Sequence, residues 1–307
     1  MNKALFALLI VILLSAPALA LPELGARPVG MGGAFVGLAD DVNSIFVNPA
    51  GVASIKKEAA LVSTRLVTGR ELTMIGGVEN TGFGSFGVGY VGASDLADPA
   101  SLQGDKITTQ TLYVTLAEDL NQKIRVPKGM GDLSLGVNLK FSSRKTVQAD
   151  GLTADRGANV DMDLATVFKP NDSLSFGLSM QNLMNGKSTK NGVAPATGEA
   201  LSALQAGVSG KLFDDTLTWA LQDKGMGCEW QPAQGLSLRV GRSEDTVTTG
   251  FGLNLGGFSV DYAFAGGSDP THYWSVSIMP PVSKPLVAVS EEPAGKTASV
   301  MPDDYRF

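Results

Sequence analysis

The ten residues Asp132–Phe141, DLSLGVNLKF, alternate without a break. Leu133, Leu135, Val137, Leu139 and Phe141 fall on one side; Ser134, Gly136, Asn138 and Lys140 fall on the other. A period of two belongs to an extended strand with one apolar face. An amphipathic helix would repeat its apolar residues at three and four instead.

The pattern continues in both directions. Leu174, Phe176, Leu178 and Met180 oppose Ser175, Gly177, Ser179 and Gln181, and Val160, Met162, Leu164 and Phe168 oppose Asp161 and Asp163. Leu236, Leu238 and Val240 alternate with Ser237, Arg239 and Gly241, and Phe258, Val260, Tyr262 and Phe264 with Ser259, Asp261 and Ala263. Strands are expected at 58–67, 71–79, 83–91, 107–117, 131–143, 157–169, 173–182, 200–212, 215–222, 225–231, 235–242, 247–255, 257–264 and 272–279. Their number, about 14, is even, and many are about 8 to 13 residues long, enough to cross a membrane when tilted.

Loop lengths point the same way. Segments 92–106, 144–156, 183–199 and 265–271 are long and polar, and alternate with short connections at 80–82, 170–172, 213–214, 232–234 and Gly256. Long loops outside and short turns inside are expected of an outer-membrane barrel. Residues 118–130 break the rule, with an extended-looking Ile124-Arg125-Val126-Pro127. Either that turn is unusual or the strand count is off by one there. In a soluble barrel the apolar face would fill the interior; in a membrane barrel it faces lipid, and Lys140, Asp161, Asp163, Arg239 and Asp261 line the lumen.

Residues 1–20 read as a secretory signal. Lys3 is the positive start, Ala4–Ser15 the apolar run and Ala18-Leu19-Ala20 the cleavage site. The run is too short for a spanning helix, and no Cys follows Ala20 to accept a lipid. Loss of Lys3 takes the formal charge from -6 to -7. This mildly acidic balance carries no basic stripe and argues against a nucleic-acid partner. Cys228 is the one cysteine, so no internal disulfide is available; it falls on an apolar strand face and reads as a small hydrophobe. Charged residues are 18%, below the roughly 25% usual in soluble domains. Residues 281–307 read as a flexible tail rich in Pro, Ser, Glu and Lys. It ends in Phe307 with Tyr305 two before it, which is either an assembly signal or a coincidence.

Between signal and strands lies Gly25–Ser54, GARPVGMGGAFVGLADDVNSIFVNPAGVAS. It is glycine-rich and apolar and has no strand period, as suits a plug tucked inside the barrel. Pro49 fixes a turn and Asn48 can bond its own backbone.

Four pieces of this segment, Gly25-Ala26-Arg27, Met31-Gly32-Gly33-Ala34-Phe35, Ala39-Asp40-Asp41 and Asn48-Pro49-Ala50-Gly51, resemble the N-terminus of the FadL-type and PorV-type outer-membrane proteins. Gly227-Cys228-Glu229-Trp230, Gly235–Gly241 and Phe258–Phe264 are similar to the closing strands of PorV-like barrels. The resemblance implies an all-β, transmembrane antiparallel β-barrel of about 14 strands with a small N-terminal hatch plugging the lumen. The hatch would span 21–57 and the barrel 58–280. Gly32, Gly33, Asp40, Asp41, Asn48, Pro49, Ala50 and Gly51 would form the hatch motif. FadL-type relatives pass hydrophobic molecules that leave sideways through the wall. PorV-type relatives serve protein secretion as partners or shuttles. The chain is much shorter than the larger FadL members and lacks their long hydrophobic outer loops, which sets long-chain fatty acids aside.

Glycines weaken a strand, so Gly84, Gly87 and Gly89 are the candidate wall opening; the simpler reading is that they ease curvature. Asp161 and Asp163 are paired carboxylates, better read as partners of Lys140, Arg239 or other lumen charges than as acid–base catalysts. Asp40-Asp41 lacks the ligand count of a calcium loop and reads as a helix start. His272, the one histidine, completes no triad, and Gly30–Gly33 is no phosphate loop. No enzyme site, cofactor or metal is expected. The expected partners are outer-membrane lipid and either a small hydrophobic ligand or a secreted protein and its secretion machinery. A soluble exported β-protein is the remaining alternative.

Overall fold

The computed structural model describes residues 25–56, 59–67, 70–81, 83–96, 106–123, 129, 131–148, 153–184, 203–267 and 270–278. The expected signal at 1–20 and tail at 281–307 lie outside the described residues.

Fourteen strands form one closed antiparallel barrel in which each strand pairs with its sequence neighbours and the first pairs with the last. They are β1 (Ala59–Val67), β2 (Arg70–Thr81), β3 (Gly84–Leu96), β4 (Lys106–Asp119), β5 (Asp132–Val147), β6 (Thr153–Asn171) and β7 (Leu174–Gln181). Then follow β8 (Ala203–Leu212), β9 (Leu217–Gln222), β10 (Gly225–Ala233), β11 (Leu236–Ser243), β12 (Thr246–Asn254), β13 (Phe258–Ala265) and β14 (Thr271–Ile278).

The long 118–130 connection hides no strand. β4 pairs directly with β5 from Lys106↔Val147 to Asp119↔Ser134. Leu120–Gln122 form a 3₁₀ turn. Asp119 accepts the Asn121 N–H at 3.0 Å, and the Asn121 amide donates to Gly131 O at 2.9 Å. Residues 124–128 lie outside the described residues.

Several expected strand bounds are corrected. β3 runs on to Leu96, β5 to Val147, and β6 begins at Thr153, because backbone pairing with the neighbouring strands continues where the alternation in the sequence has faded. β9 is shorter than expected, Leu217–Gln222, since Phe213, Asp214 and Asp215 take positive φ in the preceding turn.

The apolar faces point outward. Val62, Leu135, Leu139, Phe141, Val160 and Val240 are exposed, while Asn138, Lys140, Asp161, Asp163, Glu229, Arg239 and Asp261 are buried. This inverts the arrangement of a water-soluble barrel. The outward row Leu133–Phe141 of β5 covers about 27 Å along the strand. At a tilt of about 40° that is ~20 Å, close to the ~25 Å apolar band of an outer-membrane wall. Cys228 is exposed on the same outward face.

The lumen is filled by residues 25–55, which precede the strands. Residues 25–55 contain two short helices, α1 (Ala26–Gly30) and α2 (Ser44–Val47), and a 3₁₀ turn, Pro49–Ser54. Met31, Phe35, Val36, Ile45 and Val52 have no more than 1% of their surface exposed. One apolar cluster joins Ile45 and Phe46 to Leu72, Met74 and Val91 of the wall; another joins Met31 and Phe35 to Ala220 and Ala263.

Candidate functional site

The seam between residues 25–55, the segment expected to be a hatch and called so below, and the wall is built largely from backbone. A lumen filled by an irregular segment leaves many peptide groups without secondary-structure partners, and each needs one. The wall supplies them from inward side chains. Gln222 accepts both the Phe35 and Val36 N–H groups at 3.1 Å. Asn138 donates to Ile45 O at 2.8 Å, Ser209 to Gly37 O at 3.0 Å and Gln181 to Val47 O at 3.3 Å. Ser275 accepts the Ala26 N–H at 2.8 Å.

Asn48 and Pro49 begin the 3₁₀ turn. Asn48 is fully buried; its side chain accepts the Ala50 N–H at 3.1 Å and donates to Val36 O at 2.8 Å and Thr166 O at 3.3 Å. One side chain thus ties the Asn48–Gly51 turn both to an earlier part of the hatch and to β6. Gly32 takes φ +65°, and a Cβ there would stand 2.4 Å from Met226 O. Gly33 also has positive φ. Across the lumen, a Cβ at Gly136 would lie 2.2 Å from Ala50 N, and one at Gly177 would lie 1.9 Å from Val36 O.

The candidate wall opening is paired in this structure. β3 holds register with β2 from Gly84 to Ser94 and with β4 from Ser85 to Leu96, without a shift. Its inward glycines receive the hatch. A Cβ at Gly87 would lie 3.1 Å from Ile45, and one at Gly89 would lie 2.7 Å from Phe46. Gly84 abuts Glu118 instead.

Two charged groups occupy the lumen. On one wall, Lys140 meets Asp163 at 2.6 Å and donates to Asn182. Asp163 accepts the Asn182 N–H at 2.9 Å, and Asp161 accepts the Met184 N–H at 3.0 Å. The two aspartates therefore anchor the chain where it leaves β7. Of the partners expected for the two aspartates, Lys140 meets Asp163 and Arg239 meets neither: it stands on β11 and meets Glu229 and Asp261, each at 2.6 Å.

The second group is larger and links hatch to wall. Arg27 of α1 contacts Asp40 at 2.6 Å and Asp41 at 2.7 Å. It also forks onto Glu229, Nε to Oε2 at 3.0 Å and Nη2 to Oε1 at 3.2 Å. Four carboxylates thus share two guanidiniums. Burial pushes the Asp41 carboxyl above its ordinary range; the pull of Arg27 opposes this and neighbouring Asp40 adds to the rise. Arg27 is held well above its ordinary value: burial works against its charge, but Asp40, Glu229 and Asp41 outweigh it. Asp41 also starts the turn into α2, accepting the Asn43 N–H at 2.8 Å. A cavity of about 230 Å³ lies against this group, lined by Arg27, Asp40, Asp41, Glu229, Arg239 and Asp261 among others.

The roles of Arg27 and Glu229 were missed from the sequence. Glu229 alternates with outward Cys228 and Trp230, so its parity alone placed it in the lumen. Nothing local marked Arg27 as its partner. Among the described residues no group of three or more His, Cys, Asp or Glu side chains is placed to hold a metal.

The same fold is found in solved channels of very different sequence. The CymD monoaromatic hydrocarbon channel superposes with a TM-score of 0.60 at 11% identity, over 86% of this chain and 99% of that one. The Ralstonia pickettii toluene transporter TbuX gives 0.55 at 12% identity, over 84% and 98%. The Pseudomonas putida toluene transporter TodX gives 0.51 at 13% identity, over 84% and 96%. No protein-family model and no curated protein matches the sequence. The chain, a closed barrel of 14 strands, therefore shares its fold with these solved channels.

Proposed function

We propose that this protein is a bacterial outer-membrane channel that passes small hydrophobic molecules past its N-terminal hatch. One observation carries the reading: the barrel wears its apolar residues outside and fills its lumen with a separate segment of chain. A permanent core would serve as well with large wall side chains. A wall that instead offers glycines and hydrogen-bonding groups to a detachable backbone suits a plug. The likeness in fold to toluene and hydrocarbon channels supports the same substrate class. In this reading residues 1–20 direct export, and Gly87 and Gly89, with Gly84 at the start of the same strand, mark the wall segment whose inner face is left bare at Gly87 and Gly89 when Ile45 and Phe46 withdraw.

The test is purification from the outer-membrane fraction followed by native mass spectrometry and uptake of toluene into cells producing the protein. Saturable uptake that depends on the protein, or a small apolar molecule bound in the barrel, is the expected result. An empty barrel carrying a stoichiometric exported protein would replace this reading with a secretion role. Recovery as a soluble periplasmic protein would end both.

A further inference from the structure

The seam around the hatch is not uniform. Along β5, β7, β8, β10 and β11 the hatch backbone lies directly against wall glycines, where even a methyl group would collide. Along β2 and β3 it is sealed by Ile45 and Phe46. Where α1 faces β12 and β13 its small apolar residues Ala26 and Val29 pack on Ala263 and Ala265, and side-chain charges, bordered by the 230 Å³ cavity, add the polar part of the closure.

The charges there divide into two bodies. The hatch contributes Arg27, Asp40 and Asp41, and the wall contributes Glu229, Arg239 and Asp261. Each set holds one cation and two anions, a net charge of minus one. Two bodies of like sign are therefore joined across the seam by one fork, Arg27 to Glu229. Bidentate pairs of this kind are among the stronger polar contacts, and like charges brought together repel more in a partly dehydrated site than in water.

We infer that the Arg27–Glu229 fork is the latch of the hatch, opposed by the net negative charge on both sides of it. Release lets α1 turn toward the cavity and opens the β10–β13 side of the lumen to water and small ions. Glu229 and Arg27 are positioning residues in this scheme. The latch sets how often the hatch is open, whatever the passing molecule.

Opposite signs from two kinds of substitution distinguish a latch from a merely structural cluster. Glu229→Gln removes the ion pair of the fork together with the wall's net charge; the direct contact outweighs the repulsion relieved, so ion conductance of the barrel in planar bilayers should rise about tenfold or more, the loss expected for a charge-assisted contact. Asp40→Asn and Asp41→Asn keep the fork and remove repulsion, so conductance should fall below wild type. Heat-modifiable gel migration reports that each variant has closed its barrel. Arg27→Lys is the second variant should Glu229→Gln fail to fold; it keeps the charge without the fork and should also raise conductance. Unchanged conductance in folded Glu229→Gln or Arg27→Lys overturns the latch. So does a rise in the Asp→Asn variants. The inference rests on the channel reading only for the plugged membrane barrel. Because toluene uptake and ion conductance are read separately, either can fail alone.

Discussion

Asn48 illustrates how much one fully buried side chain does. It satisfies Ala50 N–H, Val36 O and Thr166 O together. Asn48→Ala leaves those groups unpaired in a fully buried place, a cost of about 1–3 kcal/mol. The expected outcome is faster hydrogen exchange across 36–51 with barrel strands unchanged, read by mass spectrometry. Asp41 makes a different prediction. Its carboxyl is held above the ordinary value near 3.8, so the folded state takes up its proton more readily than the unfolded chain. That stabilisation is fully present below the unfolded value and is lost as pH rises through the raised folded value. Thermal unfolding in detergent should show wild type gaining stability over that falling-pH window. Asp41→Asn should lack this component; identical pH profiles would rule it out.

At the level of strands, the pleat separates two kinds of glycine. Gly177 of β7 points at the hatch, where a Cβ would lie 1.9 Å from Val36 O. Gly77 of β2 points away, with only Ala59 O at 3.8 Å nearby. Gly177→Ala should therefore unseat the hatch near Val36 and destabilise the protein by about 1–3 kcal/mol, while Gly77→Ala should be close to neutral. Protease sensitivity of the hatch and the temperature of gel-shift loss check both. The same contrast explains what the sequence disclosed. Strand alternation is local, so DLSLGVNLKF announces both its structure and its two faces. The glycines of β3 were equally visible, but their neighbours were not. Only the seated Ile45 and Phe46 show what Gly87 and Gly89 make room for. The Arg27–Glu229 fork spans 202 residues of sequence, and no spacing rule reaches that far.

For the molecule as a whole, the ring closes where the first strand meets the last: β1 pairs with β14 from Ala60↔Ile278 to Leu66↔His272. The count of fourteen was legible because every strand repeats the same rule; alternation alone does not tell inside from outside, and the inverted polarity was expected from strand length, even count, loop asymmetry and the family resemblance. The segment 25–55 stood apart in the sequence because it obeys no strand rule. What could not be read was the fit between them, since it depends on curvature that no single strand carries. That fit has a consequence for assembly. Ser63 reaches Trp274 O across 211 residues, so the β1–β14 seam is among the costliest loops to close and belongs late in folding. Residues 25–55 touch wall strands on several sides of the ring, so they can gather those strands before the last seam zips, a mould for a cylinder whose diameter strand number and shear set.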